Sequence, residues 1–249
     1  MTTIKTYIKT GVICFGFLIL IGCQSETELS AEQIVERAIE SHGGLEKWDK
    51  VKQISFDKSV TLFNEDGAIQ IKTEQFQLFR LQPKLFAKLE WEQDGKDMQI
   101  IYEDEKVSKT INDSIVTDPD ELKRAENAVF AAQYVICQPF DLLQSDSELT
   151  LMDKIPIEGK EHQVVKVVYK GDTVDADQWY YIIDPETYNV VANQVLLTDH
   201  TSWIENLSYD TSTDFKFNLH RKSYRLNELG EKTYLRAEYF YTDFDVIYK

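Results

Sequence analysis

Cysteine is scarce in this chain: there are three in 249 residues, Cys14, Cys23 and Cys137, too few for a disulfide framework. Glycine and proline are scarce as well, 10 and 5, and they form no linker tract, so nothing in the composition divides the chain into domains. Basic residues are in deficit, with 27 Lys and Arg against 43 Asp and Glu and a formal net charge of −16. That balance repels phosphate backbones and excludes a nucleic-acid partner. Enzyme signatures are missing too. The chain has no Gly-rich phosphate loop, no Gly-x-Ser-x-Gly elbow, no His-Glu-x-x-His pair and no zinc-spaced cysteines. With four histidines and no cofactor motif, it reads as a non-enzymatic protein.

What the amino terminus does contain is an export signal. Lys5 and Lys9 precede the apolar run Gly11 to Ile21, which is about half the ~20 residues needed to cross a bilayer. The run ends in Leu20-Ile21-Gly22-Cys23, which resembles the lipobox of bacterial lipoproteins. That resemblance implies cleavage before Cys23 and acylation of its thiol and new amino terminus, giving a stable membrane anchor. Residues 1–22 are then a signal peptide, and 23–29 are the lipidated Cys with an acidic tether, Gln24 to Leu29. The tether resembles the acidic stretch associated with delivery of some lipoproteins to the cell surface, but the match is short, and the plainer reading is a solvated linker. The implied location is the cell envelope, at the outer membrane. Cys14 leaves with the signal, so Cys137 has no partner and reads as a buried, inert thiol.

Ser30 and Gln33 form a capping box ahead of a helix whose apolar face is Ile34, Val35, Ala38 and Ile39. Gly43-Gly44 ends it. His42, in the last turn, suits the negative end of the helix dipole. A second short helix is predicted from Leu45 to Val51. The period then changes to two, with strands predicted over Ile54–Phe63, Ala68–Leu81, Lys84–Gln93, Asp97–Tyr102, Val107–Ile111 and Ser114–Thr117. Asp118-Pro119-Asp120-Glu121 starts a helix that runs to Cys137. Leu122, Ala125, Ala128, Val129 and Ala132 form one apolar stripe on it, and Phe130, Tyr134 and Cys137 a second, so it is expected to pack on two sides. After a turn at Phe140–Leu143, strand signals resume at Glu148–Lys154, His162–Lys170, Gln178–Ile183, Val190–Thr198, Trp203–Tyr209, Phe215–Leu226 and Lys232–Phe244. Residues 30–249 read as one domain.

Weak chemical constellations remain. Asp172, Asp175 and Asp177 could offer oxygens to calcium but lack an EF-hand's Gly and closing Glu, so they read as a solvated acidic turn. Asp199-His200 could be a base and its orienter, yet no nucleophile accompanies it. Asp113-Ser114-Ile115 and Asp172-Thr173-Val174 resemble periplasmic O-glycosylation sites. The stronger signal is aromatic: 13 Phe, 13 Tyr and 4 Trp, mostly on the period-two runs. Trp179-Tyr180-Tyr181-Ile182-Ile183 puts bulk on both faces of one strand, so both faces should be covered or amphipathic. Such a sheet is either a packed core or the wall of an apolar cavity.

The order of helix, Gly-Gly corner, six-strand meander, central helix and second antiparallel run resembles the LolA and LolB lipoprotein-carrier fold. The stretch from Ala31 to Trp48 is similar to the opening of a family of uncharacterised LolA-like lipoproteins. The resemblance implies a mainly β fold with helices: an unclosed antiparallel β-barrel with an N-terminal helix and a central lid helix over a hydrophobic cavity. Arg37 is in the helix where LolA has a lid-holding arginine but lacks the surrounding motif, so that role is not transferred. Phe76, Leu78, Leu89, Trp91, Tyr180 and Ile182 are expected to point into the cavity from the strands, with Phe130 and Tyr134 facing it from the lid. The expected function is binding of a lipid or other apolar ligand by a lipoprotein held to the membrane through its acyl chains. The alternative is an accessory lipoprotein that binds an envelope protein.

Overall fold

The structure, a computed structural model, describes residues 28–143, 146–170 and 177–249. The signal segment, Cys23, most of the tether and Asp172-Thr173-Val174 lie outside the described residues, as does Asp175. Two helices, α1 (Ala31–Ser41) and α2 (Leu45–Trp48), come first. A meander follows: β1 (Val51–Phe63), β2 (Ile69–Arg80), β3 (Phe86–Gln93), β4 (Lys96–Glu103), β5 (Lys106–Ile111) and β6 (Ser114–Ile115). Helix α3 (Pro119–Cys137) and a 3-10 turn (Phe140–Leu143) separate it from the second meander. This comprises β7 (Ser147–Ile157), β8 (Lys160–Tyr169), β9 (Gln178–Ile183), β10 (Val190–Leu196), β11 (Thr201–Tyr209), β12 (Asn218–Leu226) and β13 (Lys232–Tyr248).

All these strands join one 13-stranded antiparallel sheet in the order β6-β5-β4-β3-β2-β1-β13-β12-β11-β10-β9-β8-β7. Each meander is built from local hairpins. At Asp94-Gly95 and Asp104-Glu105 both turn residues have positive φ, as the turns that match right-handed strand twist require. The meanders meet where β1 pairs β13, with Ile54 opposite Val246 and Val60 opposite Tyr239. The edge strands β6 and β7 are not paired with each other, so the barrel is unclosed.

Curling of the sheet follows from the composition of the core. Leu89 of β3 and Ile100 of β4 belong to the same buried cluster as Val165 of β8 and Tyr181 of β9, although six strands lie between β3 and β9 in the sheet. Strands so far apart share a core only if the sheet wraps around it. The inner side chains of β1, β2, β8, β9 and β13 pack on α1, α3 and the 3-10 turn. A smaller apolar cluster, Val164, Ile182 and Ala192 with Tyr180 and Trp203 packed against it, covers the other face of β8 to β11. This explains why Trp179 to Ile183 is bulky at every position.

The capping box forms as expected: Gln33 N–H donates to Ser30 Oγ at 3.3 Å, and Ser30 N–H to Gln33 Oε1 at 3.0 Å. Gly43 has φ +132°, and a Cβ there would lie 2.6 Å from the Phe215 ring and 2.7 Å from the Asp214 carbonyl oxygen. The Gly-Gly corner is therefore shaped by the 214–215 segment passing against it. That segment is not strand, as its sequence suggests, because Phe215 is buried among Trp48 and Phe140, at 5.5 and 5.4 Å between ring centroids. The predicted helix through Val51 is also corrected. It ends at Trp48, and fully buried Val51 opens β1 opposite Tyr248. His42 differs from its expected role as well. It is buried, and the loss of hydration lowers its pKa to about 4, so the ring is neutral at pH 7 and Nδ1 lies 2.7 Å from the Ala38 carbonyl.

Candidate functional site

Helix α3 crosses the inner face of the curled sheet and is tied at both ends. At its start, Asp118 accepts a hydrogen bond from Glu121 N–H at 2.8 Å, and Pro119 occupies the first turn. Glu121 accepts from Lys109 of β5 at 2.6 Å and from Arg124 at 2.7 Å, contacts that hold its carboxyl down at about 2. Near its other end, the Tyr134 hydroxyl is 2.8 Å from that of Tyr181 on β9 and 3.4 Å from that of Tyr169 on β8. Burial pushes the Tyr134 and Tyr181 hydroxyls well above the usual range, so they are bound as neutral phenols. Ala125, Val129, Ile136 and Cys137 bury the helix against the core, while Phe130 is 41% exposed with its edge on Tyr102, 5.1 Å away.

Between α3 and the sheet lies an open cleft of about 930 Å³. Its apolar lining comes from Phe56 and Val60 of β1, Leu89 and Trp91 of β3, Ile100 of β4, Trp179 of β9 and Ile204 of β11. Small residues of α3, Ala125, Ala128, Ala131 and Ala132, make the opposite wall, and their size keeps the space open. Most of the surface facing the cleft is carbon, with polar groups confined to a few positions.

Those positions form a pattern. Arg221 of β12 is only 5% exposed, yet it lines the cleft. Its Nε donates to Asn206 Oδ1 at 2.8 Å and its Nη2 to Asn193 Oδ1 at 3.1 Å; Asn206 Nδ2 in turn donates to the Val190 carbonyl at 2.6 Å. These partners are neutral amides. Among the described residues Arg221 has no carboxylate within salt-bridge distance. Lys58 of β1 also lines the cleft, with its ammonium 5.6 and 5.8 Å from the ring centroids of Tyr239 and Tyr241. It too has no carboxylate partner among the described residues. Gln75 and Gln77 of β2 complete the polar spots, with Gln77 Nε2 donating to Gln75 Oε1 at 2.9 Å.

Of the residues expected from sequence to face the cavity, Leu89, Trp91, Phe130 and Tyr134 line the cleft. Phe76 and Leu78 do not. Gln77 and Phe79 are the inward residues of β2, opposite Phe56 and Ile54, so Phe76 and Leu78 stand on the outer face, where Lys88 lies 5.6 Å over the Phe76 ring. Tyr180 and Ile182 are displaced by the same alternation: Trp179 and Tyr181 point inward, while Tyr180 and Ile182 join the outer cluster. A register error of one residue moves every side chain to the other face. Lys58, Gln75, Gln77 and Arg221 went unnoticed because a polar residue on a period-two strand reads as outward. Only their phase relative to buried Phe56 and Phe79 marks them as inward.

The other constellations lie elsewhere. Asp199 and His200 bond at 2.6 Å in the β10–β11 turn, and neither lines the cleft. Arg37 donates to the Tyr188 hydroxyl at 2.6 Å in the β9–β10 turn and does not hold α3. Cys137 is buried, and burial pushes its thiol up, leaving it protonated. Asp113-Ser114-Ile115 forms the exposed β5–β6 hairpin. Among the described residues no helix is long and apolar enough to cross a membrane.

A family model covering residues 9–206 matches the sequence. The chain belongs to DUF6503, a family of unknown function. None of the curated proteins matches it. In structure it is similar to a LolA superfamily protein from Nitrosomonas europaea, with a TM-score of 0.56 at 8% identity over 88% of this chain and 94% of that one. It is also similar to a DUF1329 family protein from Desulfovibrio piger, with a TM-score of 0.53 at 5% identity over the same shares of the two chains. At such identities the likeness is one of fold. This DUF6503 protein has a LolA-like fold, an unclosed barrel with an internal helix.

Proposed function

We propose that this DUF6503 protein is a cell-envelope lipoprotein, held to the outer membrane by acyl chains on Cys23, that binds an apolar or lipidic ligand beneath α3 without chemical turnover. The observation that carries this reading is the cleft of about 930 Å³ between α3 and the sheet, at the upper end of the roughly 300–1,000 Å³ of small-molecule pockets. The fold shared with a LolA superfamily protein supports the reading by analogy.

The test uses the mature chain, residues 23–249 with Cys23→Ser, which has no acyl chain of its own. Native mass spectrometry and organic extraction should find copurified lipid, and a fluorescent fatty acid should bind to the delipidated protein. Phe130→Asp should weaken probe binding because a carboxylate then faces the apolar wall, whereas Phe130→Leu should not. A folded chain with neither lipid nor probe bound would overturn the proposal.

A second reading rests on the outer face. There Ile155, Ile157, Trp203 and exposed Leu207 border a groove of about 820 Å³, a surface for an envelope protein. Pull-down with Leu207→Glu against the unaltered chain distinguishes this reading, since the substitution leaves the inner cleft untouched.

A further inference from the structure

We propose that the cleft selects amphiphiles with an anionic head, a carboxylate or a phosphate, which is bound by Arg221 and Lys58 while the apolar chain lies along Leu89, Trp91 and α3. This inference rests on the proposed ligand-binding role of the cleft and adds a chemical class to it.

A buried arginine is costly unless something offsets its charge, and Arg221, 5% exposed, has two amide oxygens to do so among the described residues. A guanidinium has five N–H donors, of which Nε and one at Nη2 are used; Nη1 makes no hydrogen bond among the described residues. The two asparagines fix the plane of the fork and leave its remaining donors for a ligand. Orientation by neutral amides, without a carboxylate, keeps the positive charge available.

Arg221 and Lys58 also lie close together on the inner face. Arg221 sits opposite Tyr239, and Tyr239 opposite Val60, so Lys58 is two strands away and two residues along. At about 4.8 Å per strand and about 3.4 Å per residue the backbone positions are on the order of 12 Å apart, within reach of two long side chains converging on one anion. The Lys58 ammonium lies over the Tyr239 and Tyr241 rings, which line the same cleft. Two carboxylates share the lining. Glu121 is already bound by Lys109 and Arg124, and Asp177 lies at the exposed rim. In a chain of net charge −16 these two cations, which have no carboxylate partner among the described residues and face an apolar space, are set apart from the rest of the surface.

The test measures displacement of the neutral apolar dye N-phenylnaphthylamine from the delipidated 23–249 chain (Cys23→Ser) at pH 8. The competitors share one dodecyl chain: dodecanoate, dodecyl phosphate, dodecanol and dodecyltrimethylammonium. Acetate and inorganic phosphate supply the head without the chain. Both anionic amphiphiles should compete about tenfold or more better than dodecanol, the cationic one should be weakest, and the free anions should not displace the dye. A preference between dodecanoate and dodecyl phosphate tells a fatty acid from a phospholipid source. Lys58→Met should remove much of the advantage of the anions over dodecanol, read as the ratio of their competition constants in the same variant. Arg221→Met removes a buried hydrogen-bonding hub and needs a melting curve beside it; Arg221→Lys, which keeps the charge, should restore part of the selectivity. Equal competition by dodecanol and the anions overturns the inference and leaves the carrier reading standing. Failure of the dye and of every competitor to bind overturns both.

Discussion

Tyr134 on α3 and Tyr181 on β9 share a hydrogen bond of 2.8 Å in the interior, one phenol donating to the other. The bond joins the helix to the sheet at the inner end of the cleft, where Trp179 packs against Tyr134 at 4.9 Å.

Tyr134→Phe deletes one partner and leaves the buried Tyr181 hydroxyl without it. The expected loss is about 1–3 kcal/mol in urea unfolding. Tyr134→Phe/Tyr181→Phe should cost less than the sum of the single changes, since a matched apolar pair leaves no orphan. Additive losses would show that the bond carries no coupling.

Protonation of His42 is opposed by burial. Its pKa is 6.5 when exposed and about 4 when folded, so the unfolded chain binds the proton first as pH falls. Stability supported by neutral His42 is complete above pH 6.5 and declines from there to about pH 4, by roughly 3 kcal/mol over the window. Thermal melts of the unaltered chain and of His42→Gln across this range should diverge in slope, with the variant flatter. Parallel curves would remove His42 from the pH response.

Gly43→Ala meets the Phe215 ring and the Asp214 carbonyl at under 3 Å and places alanine at φ +132°. The melting temperature should fall steeply. Gly67→Ala, at φ +82° on a hairpin tip with nothing within 4 Å, should cost only about 1 kcal/mol. Equal losses would mean that φ alone matters and the close approach does not.

Cys23→Ala should block acylation and leave the protein uncleaved or released from the membrane fraction, since none of the described helices can span a bilayer. Fractionation and intact-mass measurement read this directly, and a cleaved variant still in the membrane would contradict it.

The elements themselves were legible because their signals are local. Asp118-Pro119 marks the start of α3, Ser30 and Gln33 cap α1, and Asp94-Gly95 sets a hairpin. The unclosed barrel followed from the order of these elements together with the LolA resemblance. The inward face of β2 was not legible. Phe76 and Leu78 are more apolar than Gln75 and Gln77, yet the glutamines face the cleft, because the strand's phase is set by its pairing with β1. Arg221 was hidden for the same reason: its role depends on Asn193 and Asn206, which the pairing of β10, β11 and β12 brings beside it on the inner face. The segment at Phe215 shows the converse, a strand-like sequence recruited by aromatic packing into a buried loop.

The pairing of β1 with β13 also governs the order in which the molecule can be assembled. Every other pair in the sheet joins neighbours in sequence, whereas Val51 must wait for Tyr248. Until β13 arrives, the 13-residue β1 offers one whole side of unpaired amides and carbonyls, and the first meander has an open edge at its longest strand. Closing a loop of nearly the whole described chain is a late and slow step, as expected for contacts of such high sequence separation. A chain halted within the second meander would therefore expose β1 as a template for pairing with other chains, and aggregation is the expected fate of such fragments.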